Sequence, residues 1–246
     1  MPSGCWSPRL PTVKVLVIGT GAREHAIVRA LTLDSSVEAV IAAPGNPGID
    51  AMALCRDLPG GLLDGEGVAD LAVELGVGLV IVGPEAPLVA GVADAVRARG
   101  VACFGPTAQA ARLEGSKAFA KEVMAEADVP TALSHVCTTV EEVASALDVF
   151  GAPYVVKDDG LAAGKGVYVC ASLAEAEAAL DDLQTSYSGW FSFLLEEKLT
   201  GPEISIIGLT DGHTIQLLAT SQDHKQLLAG DRGPNTGGMG AYCPAP

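Results

Sequence analysis

Lys117, Lys157 and Lys165, with glycines at 160, 164 and 166, are the residue types that hold phosphate groups. Glycine lets backbone N–H groups approach an anion closely, and a lysine ammonium places a point charge on its oxygens. The run from Lys157 to Gly166 cannot be a Walker P-loop. Leu161, Ala162 and Ala163 separate Gly160 from Gly164 where that motif has four residues, and Gly166 stands where it needs Ser or Thr. Val167, Tyr168 and Val169 then favour a strand rather than a helix. A glycine loop between two strands predicts a flap that folds over a nucleotide. The alternative is an ordinary hairpin with extra glycines, in which the two lysines serve no folding purpose.

Other residues carry weaker signals of the same kind. Glu196 and Glu197 close an apolar run, with Glu203 past a turn, and read either as partners for an adenosine ribose and amine or as a solvated strand end. Asp223, His224 and Lys225 precede Pro234, Asn235, Thr236, Gly237, Gly238, Met239 and Gly240. So many glycines exclude a helix or stable strand on local grounds and predict an ordered loop that binds an anion or substrate. Near the amino end, Gly19, Gly21 and Glu24 imitate a dinucleotide fingerprint. Glu24 stands where Gly or Ala is required and no acidic residue closes the next strand, so an NAD site is disfavoured. What survives is a turn able to receive phosphate at a helix N-terminus. The Pro44–Gly48 loop, with Gly45 and Asn46, and the loop of Gly83, Pro84 and Glu85 follow later strands. Glu85, between Pro84 and Pro87, is held ready for a ligand hydroxyl or amine. There is no obvious Ser-His-Asp or Cys-His set, and phosphoryl transfer needs positioning and charge neutralisation more than a nucleophile.

The elements that must position these residues alternate. Strands are predicted at 13–18, 37–43, 79–82 and 101–104, with helices after Gly21 (Ala26, Ile27, Ala30 and Leu31 on one face), over 68–75 and over 88–99. Strand-helix alternation predicts a doubly wound parallel sheet, whose ligands sit at the strand C-termini. A helix-like stretch at 108–127 carries Lys117 and Lys121 out of it. Beyond come a strand at 132–136, a helix with a Thr138/Glu141 capping box, the flap, a helix from Ser172 to about 183, and a strand at 193–197. A hairpin over 205–221 carries Asp211-Gly212, a type I′ signal. The 246 residues predict one to two domains, with the boundary near Gly115 and a disordered leader at 1–12. At 49% hydrophobic but 4% aromatic, the core must be Ala, Val, Leu and Ile. No run reaches the roughly 18 apolar residues of a membrane span, and no signal peptide opens the chain, which predicts a cytoplasmic protein. A net charge of −15 argues against nucleic acid or an anionic membrane as partner. Six scattered cysteines read as buried free thiols.

With these residues laid out, the chain closely resembles the phosphoribosylamine–glycine ligase (glycinamide ribonucleotide synthetase) family of ATP-grasp enzymes over residues 13–246. The likeness rests on the order and spacing of motifs at 15–25, 43–46, 82–88, 104–107, 115–119, 159–167 and 233–242. It implies an α/β fold: an N-terminal doubly wound parallel sheet domain at 13–114 that binds substrate, then an incomplete ATP-grasp domain (α+β) at 115–246. It implies ATP held by Lys117, Lys157, Gly160, Gly164, Lys165 and Gly166 at the phosphates and by Glu196, Glu197, Leu199 and Glu203 around the adenosine. Phosphoribosylamine would lie across Gly21, Gly45, Asn46, Gly83, Pro84 and Glu85 and across Asp223, Lys225 and 234–240. Glycine is the third substrate, activated as an acyl phosphate and ligated to the amine. The family uses Mg²⁺ or Mn²⁺, held by a Glu and an Asn in a part that follows this chain's last residue, so no metal ligand is expected here. Negligible ligase activity is expected of the 246 residues alone. Another ATP-grasp ligase of purine synthesis and a non-catalytic nucleotide-binding fragment are the competing readings.

Overall fold

The computed structural model describes residues 12–161, 166–186 and 192–245, without the side chains of 140, 141, 144, 184 and 186. The predicted leader, Gly164 and Lys165 therefore fall almost or entirely outside the described residues. The chain divides into two compact units, Met1–Gly115 and Ser116–Pro246.

In the first unit, Val15, Leu16, Val17 and Ile18 are all buried, as a parallel strand covered on both faces requires. The elements are β1 (Val13–Gly19), α1 (Ala22–Thr32), β2 (Val37–Pro44), α2 (Pro47–Asp50), β3 (Leu54–Cys55), α3 (Gly65–Leu75), β4 (Leu79–Val82), α4 (Glu85–Val89), α5 (Val92–Ala98), β5 (Ala102–Phe104) and α6 (Ala108–Gly115). The sheet runs β3-β2-β1-β4-β5 with every pairing parallel. Alternation splits β1 between two cores. Leu16 and Ile18 pack with Val68, Leu71, Val92 and Val96, while Val15 and Val17 pack with Val28 and Ile49. Strand order reverses beside β1, so the ends of β1 and β4 flank the crevice where open α/β sheets bind ligands.

Several expectations need correction. β3 is two residues long, too short to leave a periodic signal. The helix expected over 88–99 is broken, because Gly91 takes a left-handed conformation (φ 87°) before α5. In α1 the inward residues are Glu24 and Val28, with Ile27 and Leu31 half-buried, whereas Ala26 and Ala30 are exposed.

The second unit comprises α7 (Lys117–Glu126), β6 (Ser134–Cys137), α8 (Val140–Phe150), β7 (Tyr154–Asp158), β8 (Val167–Cys170), α9 (Leu173–Ser186), β9 (Phe193–Glu197), β10 (Gly208–Thr210), β11 (Ile215–Leu217), β12 (Gln222–Leu228) and β13 (Arg232–Tyr242). The predicted flap strands are present, as antiparallel β7 and β8. They belong to an antiparallel sheet ordered β6-β9-β7-β8. One face buries Cys137, Val156, Phe193 and Leu195 against Val143, Leu147, Ala176 and Leu183. Alternation turns Val155, Lys157, Leu194 and Glu196 to the other face.

Here too the structure departs from local signals. The helix expected across 108–127 breaks at Ser116, whose hydroxyl accepts the Phe119 N–H and caps α7. The strand expected at 132–136 lies at Ser134–Cys137. The capping box sits one residue later than expected: Thr139 caps α8 and Glu142 reaches back to Thr139 N, with Thr138 donating to the same carboxylate. Asp211 and Gly212 form no two-residue turn; Thr210 pairs with Ile215, and the Asp211 carboxylate accepts from the N–H groups of His213 and Thr214. The glycine-rich segment is a strand after all, β13 on β12, because cross-strand pairing overrides its poor local propensity. Among five described cysteines only Cys137 and Cys170 are buried, and Cys243 is exposed. Burial, then Glu142, pushes the Cys137 thiol up to about 11.

Candidate functional site

At the carboxyl edge of the first sheet the predicted residues converge, and the fold itself uses most of their polar groups. Glu24 is only 3% exposed. Its carboxylate accepts the Gly21 N–H at 2.6 Å, and its side chain fills the space a Cβ would need at Gly19 and Gly83. That is why β1 ends in glycine and β4 is followed by one. Arg23 donates to the Gly83 carbonyl at 2.7 Å and pairs with Glu85 at 3.3 Å. Glu85, expected to stand ready for a ligand, therefore has a protein partner and opens α4 behind Pro84. Asn46 accepts the N–H groups of Gly48 and Ile49, capping α2, and donates to the Thr20 carbonyl at 2.8 Å. Gly45 is left-handed (φ 76°), and a Cβ there would strike Cys55. Three loops from separate strands are thus bonded to one another at one edge.

In the second unit, the flap is anchored at its root. The Asp159 carboxylate accepts from Ala118 N at 3.0 Å and from the hydroxyls of Ser116 and Ser192, and Lys117 donates to the Gly160 carbonyl at 2.7 Å. Asp158 N donates to the Gly166 carbonyl at 2.9 Å, closing the described ends of the loop. Gly160 has no left-handed backbone, and a Cβ there would meet only ordinary contact with Asp158.

On the sheet's other face Glu196 lies between two lysines. Lys157 Nζ is 2.5 Å from one carboxylate oxygen and Lys121 Nζ 3.0 Å from the other, with side chains 27%, 14% and 5% exposed for Lys157, Lys121 and Glu196. Lys157 and Glu196 sit on adjacent strands diagonally, since Val155 faces Glu196 and Lys157 faces Leu194. Glu197 accepts the Leu133 N–H at 2.8 Å, and Leu199 is exposed. Glu203 pairs with Lys225 at 2.8 Å, and this bond holds the Lys225 ammonium above the usual amine range.

The last strand carries its predicted residues in a bulge. His224 pairs with Gly240 and Gln226 with Asn235, so 236–239 stand opposite Lys225 alone. Thr236 donates to the Lys225 carbonyl at 2.9 Å and accepts from Gly238 N, which is left-handed at φ 116°. Gln226 donates to Asn235, Met239 is exposed, and Pro234, Gly237 and Asp223 belong to the same ribbon. The loop reading survives as this bulge, a feature that re-aims backbone beside functional sites. Sequence reasoning assigned no role to Lys121, Arg23, Glu24 or Asp159. Lys121 is one helical turn beyond Lys117, and that spacing was its only signal.

A parallel α/β unit followed by an antiparallel sheet with a lysine-bearing glycine flap defines the ATP-grasp class of enzymes. Residues 13–114 match the model of the phosphoribosylglycinamide synthetase N domain and 115–246 that of its ATP-grasp (A) domain. The chain belongs to the phosphoribosylglycinamide synthetase family. It is 57% identical to the phosphoribosylamine–glycine ligase of Streptomyces coelicolor over 234 residues, covering 95% of this chain and 54% of that protein. The Nostoc enzyme of the same name is 46% identical, with 95% and 56% covered. The crystal structure of phosphoribosylamine–glycine ligase from Thermotoga maritima superposes with a TM-score of 0.78 at 31% identity, covering 95% of this chain and 56% of that one. An ADP complex of N5-carboxyaminoimidazole ribonucleotide synthetase shares the fold, with a TM-score of 0.70 at 17% identity. The chain spans about half the length of the curated relatives it matches.

Proposed function

We propose that this chain carries the ATP-holding residues and substrate loops of a ligase that joins glycine to 5-phosphoribosylamine, giving glycinamide ribonucleotide, ADP and phosphate. The observation that supports this reading best is the combination of the flap root with Lys157: a glycine loop fixed by Asp159 and Lys117, beside an ammonium whose one protein partner among the described residues is Glu196. Lys117, Lys157 and Gly160 attend the phosphates, with Gly164, Lys165 and Gly166 from the flap. Glu197, Leu199 and Glu203 attend the adenosine. Glu196, expected beside the adenosine, also forms ion pairs with Lys121 and Lys157. In the first unit Gly21, Gly45, Asn46, Gly83, Pro84 and Glu85 are assigned to phosphoribosylamine; in the second unit Asp223, Lys225 and residues 234–240 are assigned to substrate.

In this reading a glycine carboxylate oxygen attacks the γ-phosphorus of ATP, the bond to the β-phosphate oxygen breaks and ADP leaves. The ribosyl amine then attacks the glycyl carbonyl carbon, phosphate departs, and the amine gives up a proton. The chain's contribution is positioning and positive charge at phosphoryl oxygens, in keeping with phosphoryl transfer generally. Among the described residues no three Asp, Glu, His or Cys side chains converge as a metal site. The resemblance assigns no Mg²⁺ or Mn²⁺ ligand to these residues, and neither step above is routed through a metal. Small-molecule substrates and a cytoplasmic location belong to the same proposal; no helix among the described residues is long and apolar enough to cross a membrane.

The test is ADP release that requires ATP, glycine and phosphoribosylamine together, measured on a version spanning the full length of its relatives, alongside ATP binding by this chain. Turnover with a different amino acid or carboxylate and none with glycine would overturn the assignment. Binding of ATP without turnover would restrict this chain to the nucleotide-holding part.

A further inference from the structure

The ammonium of Lys121 has three N–H donors, and the structure uses all three: the Ala132 carbonyl at 2.7 Å, the Thr131 hydroxyl at 2.9 Å and Glu196 at 3.0 Å. It has none left for a ligand. Lys157 bonds only to Glu196 among the described residues and keeps two donors. The formal charge of the three groups is two cations less one anion, or +1, on a largely buried face. We propose that Lys121 is a positioning residue for nucleotide phosphate: it neutralises Glu196 from the far side, so that the surplus positive charge stays on Lys157.

The physical reason is the shared carboxylate. Without Lys121, Glu196 and Lys157 form a neutral pair, and a phosphoryl group reaching Lys157 meets a buried anion directly behind it. With Lys121 in place, the anion is matched on one oxygen and serves to aim Lys157 with the other. The saturated bonds to Ala132 and Thr131 fix Lys121 to the segment that enters β6, so the triad is tied to the backbone at both ends. This inference rests on the ATP reading of the site, and its test separates the two.

ATP and adenosine dissociation constants are measured for the unsubstituted chain, Lys121→Met, Lys121→Arg, Glu196→Gln and the Lys121→Met/Glu196→Gln double variant. Adenosine has the base and ribose but no phosphate, so the ratio of the two affinities isolates the phosphate end. Lys121→Met is expected to weaken ATP about tenfold relative to adenosine, the scale of one nearby charge at partial burial. Lys121→Arg should hold the ratio. The double variant returns the cluster to +1 and should restore it. A folded Lys121→Met protein with an unchanged ratio, an equal loss of both ligands, or a double variant that fails to recover would each overturn the proposal. Should Lys121→Met not fold, Glu196→Gln alone decides: its cluster is +2, and the ratio must rise. If the unsubstituted chain binds adenosine but not ATP, or neither, the reading of the site falls and the role of Lys121 falls with it.

Discussion

At the carboxyl edge of the first sheet, the polar side chains are bonded to the protein: Glu24 to Gly21, Arg23 to Gly83 and Glu85, Asn46 to the α2 N-terminus and Thr20. On the second sheet, Lys157 keeps donors in reserve. Under the proposed function, the first arrangement offers a ligand backbone whose shape is fixed in advance. The second presents charge. Substitutions at the first place should therefore appear as lost stability, and at the second as lost affinity.

Gly83→Val should have the largest effect. Its Cβ would run into the Glu24 carboxylate, which is buried and has nowhere to go, so the loss is about 3 kcal/mol in a denaturant titration of the first unit's signal. A stable Gly83→Val protein would show that the edge is not rigid and would break the contrast. Next comes Lys157→Ala, which removes a charge-assisted contact worth roughly 1.5 to 3 kcal/mol, or about tenfold to a hundredfold in ATP affinity. Its stability cost should stay within about 1 kcal/mol because Glu196 retains Lys121. Unaltered ATP binding would make residues 154–170 a structural hairpin. Asn46→Ala should cost about 1 kcal/mol, the usual value of an N-cap, and should weaken phosphoribosylamine binding through displaced backbone.

The smallest effect concerns pH and lies away from both places. Backbone and hydroxyl bonds from Thr138 hold Glu142 below its ordinary value of 4.5. A depressed carboxylate contributes stability that is present above that value and lost as pH falls through the folded one. Glu142→Gln should flatten the acid limb of the helical circular dichroism slightly. An unchanged limb would remove the α8 cap from the account.

The parallel order of the first sheet could be read from the buried apolar runs of β1, β2 and β4, and the flap strands from the β-branched residues around Gly160 and Gly166. What escaped was set by partners distant in sequence. Glu24 looked like a defect in a glycine fingerprint, and only the approach of β4 shows that it fills the space left by two glycines. Lys121 looked like one more helix lysine, because its meeting with Glu196 depends on a contact 75 positions away (196 − 121). β13 was misread for the same reason: the pairing that overrides its glycines is supplied by β12.

The ribbons β10–β11 and β12–β13 leave apolar side chains in solvent, Ile215 at 68% exposure and Leu217 at 60%, and Leu227 and Leu228 are exposed too; Ile206, just before β10, is 63% exposed. Apolar side chains left in solvent favour association and apolar-dye binding. Salts that are excluded from protein surfaces strengthen the tendency to bury them. The purified chain is therefore expected to salt out at low ammonium sulfate, to be retained on a phenyl matrix, and to raise the fluorescence of an apolar dye while still folded.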